Sequence, residues 1–305
     1  PRDAYRWRFL EETLPALVRE HNVGRLLVLG DFTEQKDGHP AALVNRLVDN
    51  IARLAESVAV YALKGNHDYV AEDVPFYRFL RHLPRVRWIN EPTALKLRGL
   101  GDCLFLPHTR DLGIWADSMG SKFDWYFCHQ TFGGADLGGG RLATGAAAPF
   151  TRKAGDRVIS GDIHVPQQLG PVTYVGAPYA VDFGDDYEPR VLLLEGDKAR
   201  SIPVPGPQKR LVDVRWPEGF SDGGKRAKLR AGDVVKMRVT LAPGSEISRA
   251  QVRETARKWA EEAGVELHAT QVVAPKVSEG ALAARERRRV PAADMVRAYV
   301  KKMGK

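Results

Sequence analysis

The run VAVYALKGNHD, residues 58–68, joins a hydrophobic strand-like segment directly to a polar cluster. Three other short apolar runs end in the same way, at Gly30-Asp31, at Cys128-His129 and at Gly161-Asp162. Short apolar runs bounded by glycine and turn residues predict buried strands. Because ligands of an open α/β sheet collect at the carboxyl ends of its strands, we expect these four clusters to converge on one site.

The residue types in the four clusters are those of a two-metal phosphoesterase site. Phosphodiester hydrolysis needs a nucleophile and neutralisation of charge on the attacking and leaving oxygens, and two metal ions about 3.5–4 Å apart provide both. Imidazole, carboxylate and amide oxygen suit manganese and related divalent ions. The candidate metal ligands are Asp31, as the carboxylate that bridges the two ions, Asn66, His129, Asp162 and His164. His67 is then free to act on the leaving group or the phosphate.

Each of these residues also has an ordinary structural interpretation. Asp31 after a glycine could be a helix N-cap, and Asn66 and Asp68 are common turn residues. His129 alone would more often be a core histidine with satisfied hydrogen bonds. The repetition of strand-like run and polar cluster at four places favours ligands over these separate explanations.

The same elements resemble a known family. Gly30-Asp31, the GNHD run at 65–68, His129 and the GDIH run at 161–164 are similar to the motifs of the calcineurin-like metallophosphoesterase superfamily. Within it, SGDIHVPQ at 160–167, YVGAPY at 174–179 and DFGD at 182–185 resemble the SbcD-type DNA repair exonucleases, especially their phage-encoded relatives. The resemblance covers residues 5–194 well and the remainder by layout only.

The resemblance implies a role for each site residue. Asp31 would bridge the two metals, Asn66, His129 and Asp162 would bind the second metal, and His164 would bind the first. His67 would be the catalytic histidine, and Glu34 occupies the place of an Asp or His that orients it; glutamate could do so by hydrogen-bonding the imidazole.

Two further positions depart from the family pattern. The family has a His where Asp162 stands, and a carboxylate there can still bind a hard metal ion. The family's first motif, an Asp-x-His that supplies two ligands, would lie on a strand before the predicted helix at 2–21, and the sequence from Pro1 does not contain it. We therefore expect five ligands within this sequence.

Composition bounds the class of protein. The 305 residues, 44% of them hydrophobic, are enough for two domains with a full core in the larger one. There is no apolar run of 18 residues and no signal-peptide pattern, and Cys103 and Cys128 are the only cysteines. Two thiols argue for a reducing compartment, so we expect a cytoplasmic protein, in the host cytoplasm if phage-encoded, without a membrane partner.

The order of predicted elements indicates an α/β protein. Helical apolar faces at Leu10–Val18 and Leu43–Leu54 alternate with strands, which predicts a layered metallophosphoesterase β-sandwich flanked by helices. After the linker PVPGP at 203–207, strands at 235–241 and 265–273 enclose a helix, as in a β-α-β capping domain. We expect a metallophosphoesterase domain over residues 1–204, a DNA-binding capping domain over residues 205–275, and a helical tail over residues 276–305 that could dock an ATPase.

Charge is distributed unevenly along the chain. Residues 1–205 hold 24 Lys and Arg against 26 Asp and Glu, whereas residues 206–305 hold 22 against 12, so balances of −2 and +10 give the total of +8. Basic residues gain affinity for polyanions by displacing counterions from phosphates. The DNA contacts predicted from this excess are Lys225, Arg226, Lys228, Arg230, Lys236 and Arg238, together with the run at 285–289. A solvated basic face is the other interpretation.

These observations predict a metal-dependent DNA nuclease that acts in repair or recombination with two divalent ions, manganese or else magnesium. The family resemblance adds an SbcC-type ATPase with long coiled coils as partner, and a homodimer. Two alternatives stay open from the sequence. One is a phosphoesterase of small molecules such as cyclic nucleotides, and the other is a catalytically silent DNA-binding scaffold.

Overall fold

The structure, a computed structural model, describes residues 4–118, 122–144, 157–183, 187–221, 228–242 and 245–273. The chain divides into two compact units. The first runs to Arg210 and includes Arg230–Val234, and the second comprises Leu211–Leu229 and the residues from Val235 onward. The division falls close to the predicted linker, and the predicted tail at 276–305 lies outside the described residues.

Three parallel strands form the first sheet, in the order β1-β2-β3. They are β1 (Arg25–Val28), β2 (Ala59–Leu63) and β3 (Val86–Ile89). In the register of the sheet, Val28 pairs with Ala62 and Leu63 pairs with Ile89. The loops after β1 and β2 therefore start at the same edge, as the strand-end pattern predicts.

Helices cover the outer face of this sheet. Helix α1 consists of Ala4–Arg8, a π-helical turn at Phe9–Thr13 and Leu14–Glu20; helix α2 is Ala41–Ser57, and a 3-10 helix spans Phe76–His82. Leu47, Ile51 and Leu54 lie on one face of α2 because they are four and three residues apart. They are buried in one cluster with Leu14, Val18, Val60 and Trp88.

The second sheet has six strands in the order β4-β5-β6-β7-β9-β8. They are β4 (Thr93–Leu97), β5 (Gly101–Leu106), β6 (Trp125–Cys128), β7 (Val158–Ser160), β8 (Gln167–Leu169) and β9 (Val172–Tyr174). Strands β5, β6, β7 and β9 are parallel, and β4 and β8 are antiparallel edge strands. Helix α3 (Leu112–Ser118) lies between β5 and β6 in the chain.

A shared apolar core joins the two sheets. Side chains from both sheets are buried in one cluster, which contains Leu63, Ile89, Leu97, Cys103, Phe105, Trp125, Phe127 and Ile159. The hairpin of β10 (Arg190–Glu195) and β11 (Lys198–Pro203) adds Leu192 and Leu194 to it. The predicted layered α/β sandwich flanked by helices is therefore confirmed.

The second unit contains the predicted β-α-β segment and one more strand. Its elements are β12 (Lys209–Arg215), a 3-10 turn at Glu218–Phe220, β13 (Val234–Thr240), helix α4 (Arg249–Glu262) and β14 (Glu266–Val273), with the sheet order β12-β13-β14. Helix α4 begins at a capping box, in which Ser248 and Gln251 bond each other's backbone N–H groups. Trp259, Val252 and Met237 are fully or almost fully buried in its core.

Among the helices of the described ranges, none combines the length and the apolar character that crossing a membrane requires.

Candidate metal centre

The loops after β1 and β2 are fixed to each other by one buried carboxylate. Asp68 Oδ2 accepts hydrogen bonds from the backbone N–H of Asp31 at 2.9 Å and of Gly65 at 2.7 Å, and Oδ1 accepts one from Phe32 at 3.0 Å. The Asp68 side chain is fully buried, and this burial raises its pKa to about 6 although the backbone hydrogen bonds oppose the shift. Asp68 thereby sets the positions of Asp31 and Asn66 relative to each other.

His129 brings the second sheet to the same point. Its Nδ1 lies 2.5 Å from the carbonyl oxygen of Leu29, which can only accept, so Nδ1 carries a proton and donates. Its Nε2 faces three oxygens: Asn66 Oδ1 at 3.1 Å, Asp31 Oδ2 at 3.2 Å and Asp162 Oδ1 at 3.6 Å. Four of the five predicted ligands therefore converge, and the ligand atoms of Asp31, His129 and Asp162 all lie within 4.8 Å of one another.

Three glycines make this convergence sterically feasible. A Cβ at Gly30 would collide with His129 Nδ1 and with the backbone of Gly65, and one at Gly65 would collide with Asp31. A Cβ at Gly161 would collide with the carbonyl oxygen of Leu29. The glycines that precede Asp31, Asn66 and Asp162 are thus required by close approach of the backbone to the imidazole and to the neighbouring loop.

Two of the candidate ligands have a left-handed backbone. Asp31 has φ 57° and Asp162 has φ 75°, a region that non-glycine residues seldom occupy. Such conformations cost on the order of 1–3 kcal/mol and persist where the surrounding structure imposes them, often at functional sites. Asp162 is also held by the hydroxyl of Thr131, which donates to its Oδ2.

The donor set fits a divalent cation. Three acceptor oxygens around one imidazole nitrogen are compatible only with a proton or a cation between them. Burial alone would lower the pKa of His129, but the carboxylates of Asp31 and Asp162 raise it well above its ordinary value. The same carboxylates would stabilise a metal ion, and a donor set of carboxylate and amide oxygens with one imidazole is suited to a divalent cation.

His164 is not part of this cluster. Its side chain is 43% exposed, and Nδ1 lies 3.6 Å from Asp182 Oδ2. Ile163, which lies between Asp162 and His164 in the chain, is buried in an apolar cluster that packs on the second sheet. Its backbone N–H donates a hydrogen bond to the Gly161 carbonyl oxygen in a tight turn. Asp162 and His164 consequently have different surroundings, and the role of His164 as a ligand of the first metal stays a prediction.

His67 lies at the rim of the site. Its backbone N–H donates to Asp31 Oδ1 at 2.9 Å, and its Nδ1 lies 2.5 Å from the backbone carbonyl oxygen of Glu34. The expected contact from the Glu34 carboxylate is therefore corrected: the main chain of the loop after β1 orients the imidazole, and the Glu34 side chain is exposed. Since the carbonyl only accepts, Nδ1 carries the proton and Nε2 is the nitrogen available to substrate.

This correction predicts that the Glu34 carboxylate is dispensable. Glu34→Gln should retain phosphodiesterase activity within about twofold, because the substitution leaves the backbone carbonyl in place. The check is kcat/KM on a model diester such as bis(p-nitrophenyl) phosphate. A loss of tenfold or more would restore the carboxylate as the group that orients His67.

The structure describes four of the six predicted DNA contacts. Lys225 and Arg226 lie outside the described residues, Lys228 and Arg230 are exposed, and Lys236 on β13 is half-buried. The guanidinium of Arg238 forms two hydrogen bonds to the Asp213 carboxylate, at 2.5 and 2.6 Å. Arg238, which the sequence predicts as a DNA contact, is therefore one partner of an ion pair in the structure.

Comparison with known proteins agrees with this geometry. The model of the calcineurin-like phosphoesterase family matches residues 4–166, more than half of the chain. No curated protein matches the chain. The matched segment contains every candidate ligand and His67, and the family match together with the clustered donors supports metal-dependent phosphoester hydrolysis. The chain belongs to the calcineurin-like phosphoesterase family.

Proposed function

We propose that this protein is a metal-dependent nuclease of the SbcD type, which hydrolyses phosphodiester bonds of DNA in repair or recombination. Membership of the phosphoesterase family supports the reaction class, and the cluster of Asp31, His129 and Asp162 supports metal dependence. The observation that carries the step from phosphoesterase to nuclease is the charge of +10 on residues 206–305, against −2 on the rest.

The chain's own residues divide the chemical work. Asp31, Asn66, His129 and Asp162 would hold a divalent ion, which activates water and neutralises charge on the phosphoryl oxygens when bound. His67 is oriented through Nδ1, so its Nε2 can contact the phosphate or, when the ring is protonated, donate a proton to the departing oxygen. The donated proton lets the leaving group depart as a neutral hydroxyl when the P–O bond breaks. Manganese is the proposed ion, with magnesium as the other candidate.

The basic run that begins at Lys225 supports DNA as the substrate class. Lys228 and Arg230 are exposed in the described part of the basic run that begins at Lys225. Contacts of lysine and arginine side chains with DNA phosphates bind DNA without reading its sequence. By resemblance of the run at 160–167 to SbcD-type nucleases, we further propose a homodimer that acts with an SbcC-type coiled-coil ATPase. The tail proposed to dock that ATPase lies outside the described residues.

Salt dependence of DNA binding tests the proposed contacts. Lys228→Ala combined with Arg230→Ala should lower the affinity for duplex DNA and reduce the slope of log affinity against log salt by about 2, since each lost phosphate contact removes about 0.9. Fluorescence anisotropy with a labelled duplex at several salt concentrations gives the slope. Hydrolysis of bis(p-nitrophenyl) phosphate should stay unchanged.

A matched double variant separates specific contact from net charge. Lys96 and Lys198 are exposed lysines of the first unit, and changing both to Ala removes the same charge. The control should retain the wild-type slope. Equal slopes in all three proteins would place the DNA contacts elsewhere, and Arg238→Ala should have little effect because Arg238 is already paired with Asp213.

A phosphoesterase of small molecules is the second candidate. The observation that favours it is that every donor of the candidate metal centre belongs to the first unit. It predicts that removal of the basic residues changes no rate on any substrate. Rates on duplex DNA and on the model diester, measured side by side in the double variants, decide between the two.

A further inference from the structure

His108 lies at the same sheet edge as the candidate metal centre. Leu106 on β5 is aligned with Cys128 on β6, which is aligned with Ser160 on β7. These three residues end their strands at the same level of the sheet. His108 and Asp162 each lie two positions beyond the end of their strand, and His129 lies one position beyond. The His108 ring centroid is 6.2 Å from that of His129, with the ring planes at 81°. The half-buried His108 thus adjoins the ligand cluster from a third strand.

A chain of polar side chains leads from His108 to the ion pair between buried Lys64 and half-buried Glu72. The Glu72 carboxylate accepts hydrogen bonds from Lys64 Nζ at 2.8 Å, from the Arg110 backbone N–H at 2.7 Å and from the Tyr69 hydroxyl at 3.0 Å. Burial would raise the pKa of Glu72, but the hydrogen bond of Lys64 and the other donors hold it below its usual value. Glu72 is consequently a carboxylate, which can only accept.

This arrangement determines the tautomer of His108. The Tyr69 hydroxyl has one proton, and it is donated to Glu72. Its oxygen also lies 2.7 Å from His108 Nδ1, so it accepts there, and Nδ1 must carry the proton. Tyr69 is itself fully buried, with Lys64 Nζ 4.3 Å from its ring centroid. Nε2 of His108 is left as a lone pair, with no hydrogen-bond partner among the described residues.

We propose that His108 is a further substrate-contacting residue of this site, whose Nε2 accepts a hydrogen bond from an O–H group in the reaction, with Tyr69 and Glu72 as positioning residues. An acceptor nitrogen does not favour a phosphate oxygen, which is an acceptor too. The O–H donor is either the attacking water or a sugar hydroxyl of the substrate. This inference rests on phosphoester hydrolysis at the neighbouring centre but not on DNA as the substrate.

Nitrogen NMR tests the tautomer without any reaction. In metal-free protein labelled with ¹⁵N at histidine, His108 should show a protonated Nδ1 and an unprotonated Nε2. Tyr69→Phe removes the acceptor and should abolish this preference, whereas Tyr77→Phe, at another buried tyrosine, should not. A protonated Nε2 in the wild type, or an unchanged spectrum in Tyr69→Phe, would overturn the assignment.

Two amide substitutions test the contact itself. The amide of Asn reaches the position of Nδ1 and that of Gln reaches the position of Nε2, so His108→Asn should lower kcat by about tenfold and His108→Gln should lower it less. KM and the calorimetric affinity for Mn²⁺ should stay within about twofold in both, as in the exposed-site control His82→Gln. Equal kcat of wild type and His108→Asn on every hydrolysed ester, with or without a hydroxyl group, would overturn the proposal. A tenfold weaker Mn²⁺ affinity would also overturn it, because it would make His108 a ligand.

The choice of substrates identifies the O–H donor and separates this inference from the proposed nuclease. Bis(p-nitrophenyl) phosphate has no hydroxyl, and thymidine 5′-(p-nitrophenyl phosphate) has a 3′-hydroxyl. A loss on both substrates indicates the attacking water, and a loss on the nucleoside ester alone indicates the sugar hydroxyl. If the wild type hydrolyses these esters but not DNA, the nuclease proposal fails while the His108 result stands. If it hydrolyses neither the esters nor DNA, the proposed function fails and the inferred contact with a reacting O–H group fails with it, while the NMR spectrum still tests the tautomer.

Discussion

Asp68→Ala is expected to destabilise the first unit by about 3–5 kcal/mol. The substitution removes the acceptor of three buried or half-buried N–H groups, those of Asp31, Phe32 and Gly65, and each unsatisfied donor costs about 1–3 kcal/mol. It also releases the loop of Asp31 from that of Asn66, so Mn²⁺ affinity should fall together with stability. Urea unfolding of the metal-free protein measures the first effect, and calorimetry measures the second.

The matched control for this substitution is Asp73→Ala. Asp73 lies in the same loop region but is exposed, so its removal should change the free energy of unfolding by less than about 0.5 kcal/mol. Asp68→Asn keeps one acceptor oxygen and should lie between the two. A cost below 1 kcal/mol for Asp68→Ala would mean that the two loops are held by other contacts.

His129→Ala is expected to weaken Mn²⁺ binding by at least about 100-fold, because it removes the donor around which Asp31, Asn66 and Asp162 converge. Loss of an outer-shell partner alone commonly costs 10–100-fold in metal affinity. Titration calorimetry with MnCl₂ gives the affinity, and circular dichroism checks that the fold is retained. His82→Ala, an exposed histidine of the same unit, should bind as the wild type does.

An unchanged Mn²⁺ affinity in His129→Ala would contradict the candidate centre as described. Asp31→Asn then serves as the discriminating variant. If it also bound normally, the metal would lie away from the cluster; if it bound weakly, His129 would be a positioning residue beside a carboxylate site.

The sequence predicted the convergence of ligands because strand ends follow a general rule. Short apolar runs that end in a polar residue, which glycine precedes in three of the four cases, locate Asp31, Asn66, His129 and Asp162 at one edge of the sheets, where the structure has them. The role of Asp68 was missed, and it was taken for a turn residue, because its three partners are backbone N–H groups whose positions depend on two separate loops. Its place directly beside Asn66 and His67 was the available signal.

Loop conformation explains the other differences. The family resemblance suggested that the Glu34 carboxylate orients His67, but the path of the loop after β1 presents a carbonyl oxygen instead. Residue spacing could not reveal that Ile163 enters the core and leaves His164 beside Asp182. The strand β12 was missed although Val212 and Val214 are buried and alternate with exposed Leu211 and Asp213, a period of two that predicts a strand.

Cleavage of linear duplex DNA in the presence of Mn²⁺, compared between the wild type and His67→Ala, tests the central claim most directly. The account predicts that the wild type cleaves the duplex, that a chelator abolishes the cleavage, and that His67→Ala lowers the rate by about 10²–10⁴-fold with Mn²⁺ affinity retained. Equal rates in the two proteins, or cleavage that persists in excess chelator, would contradict it.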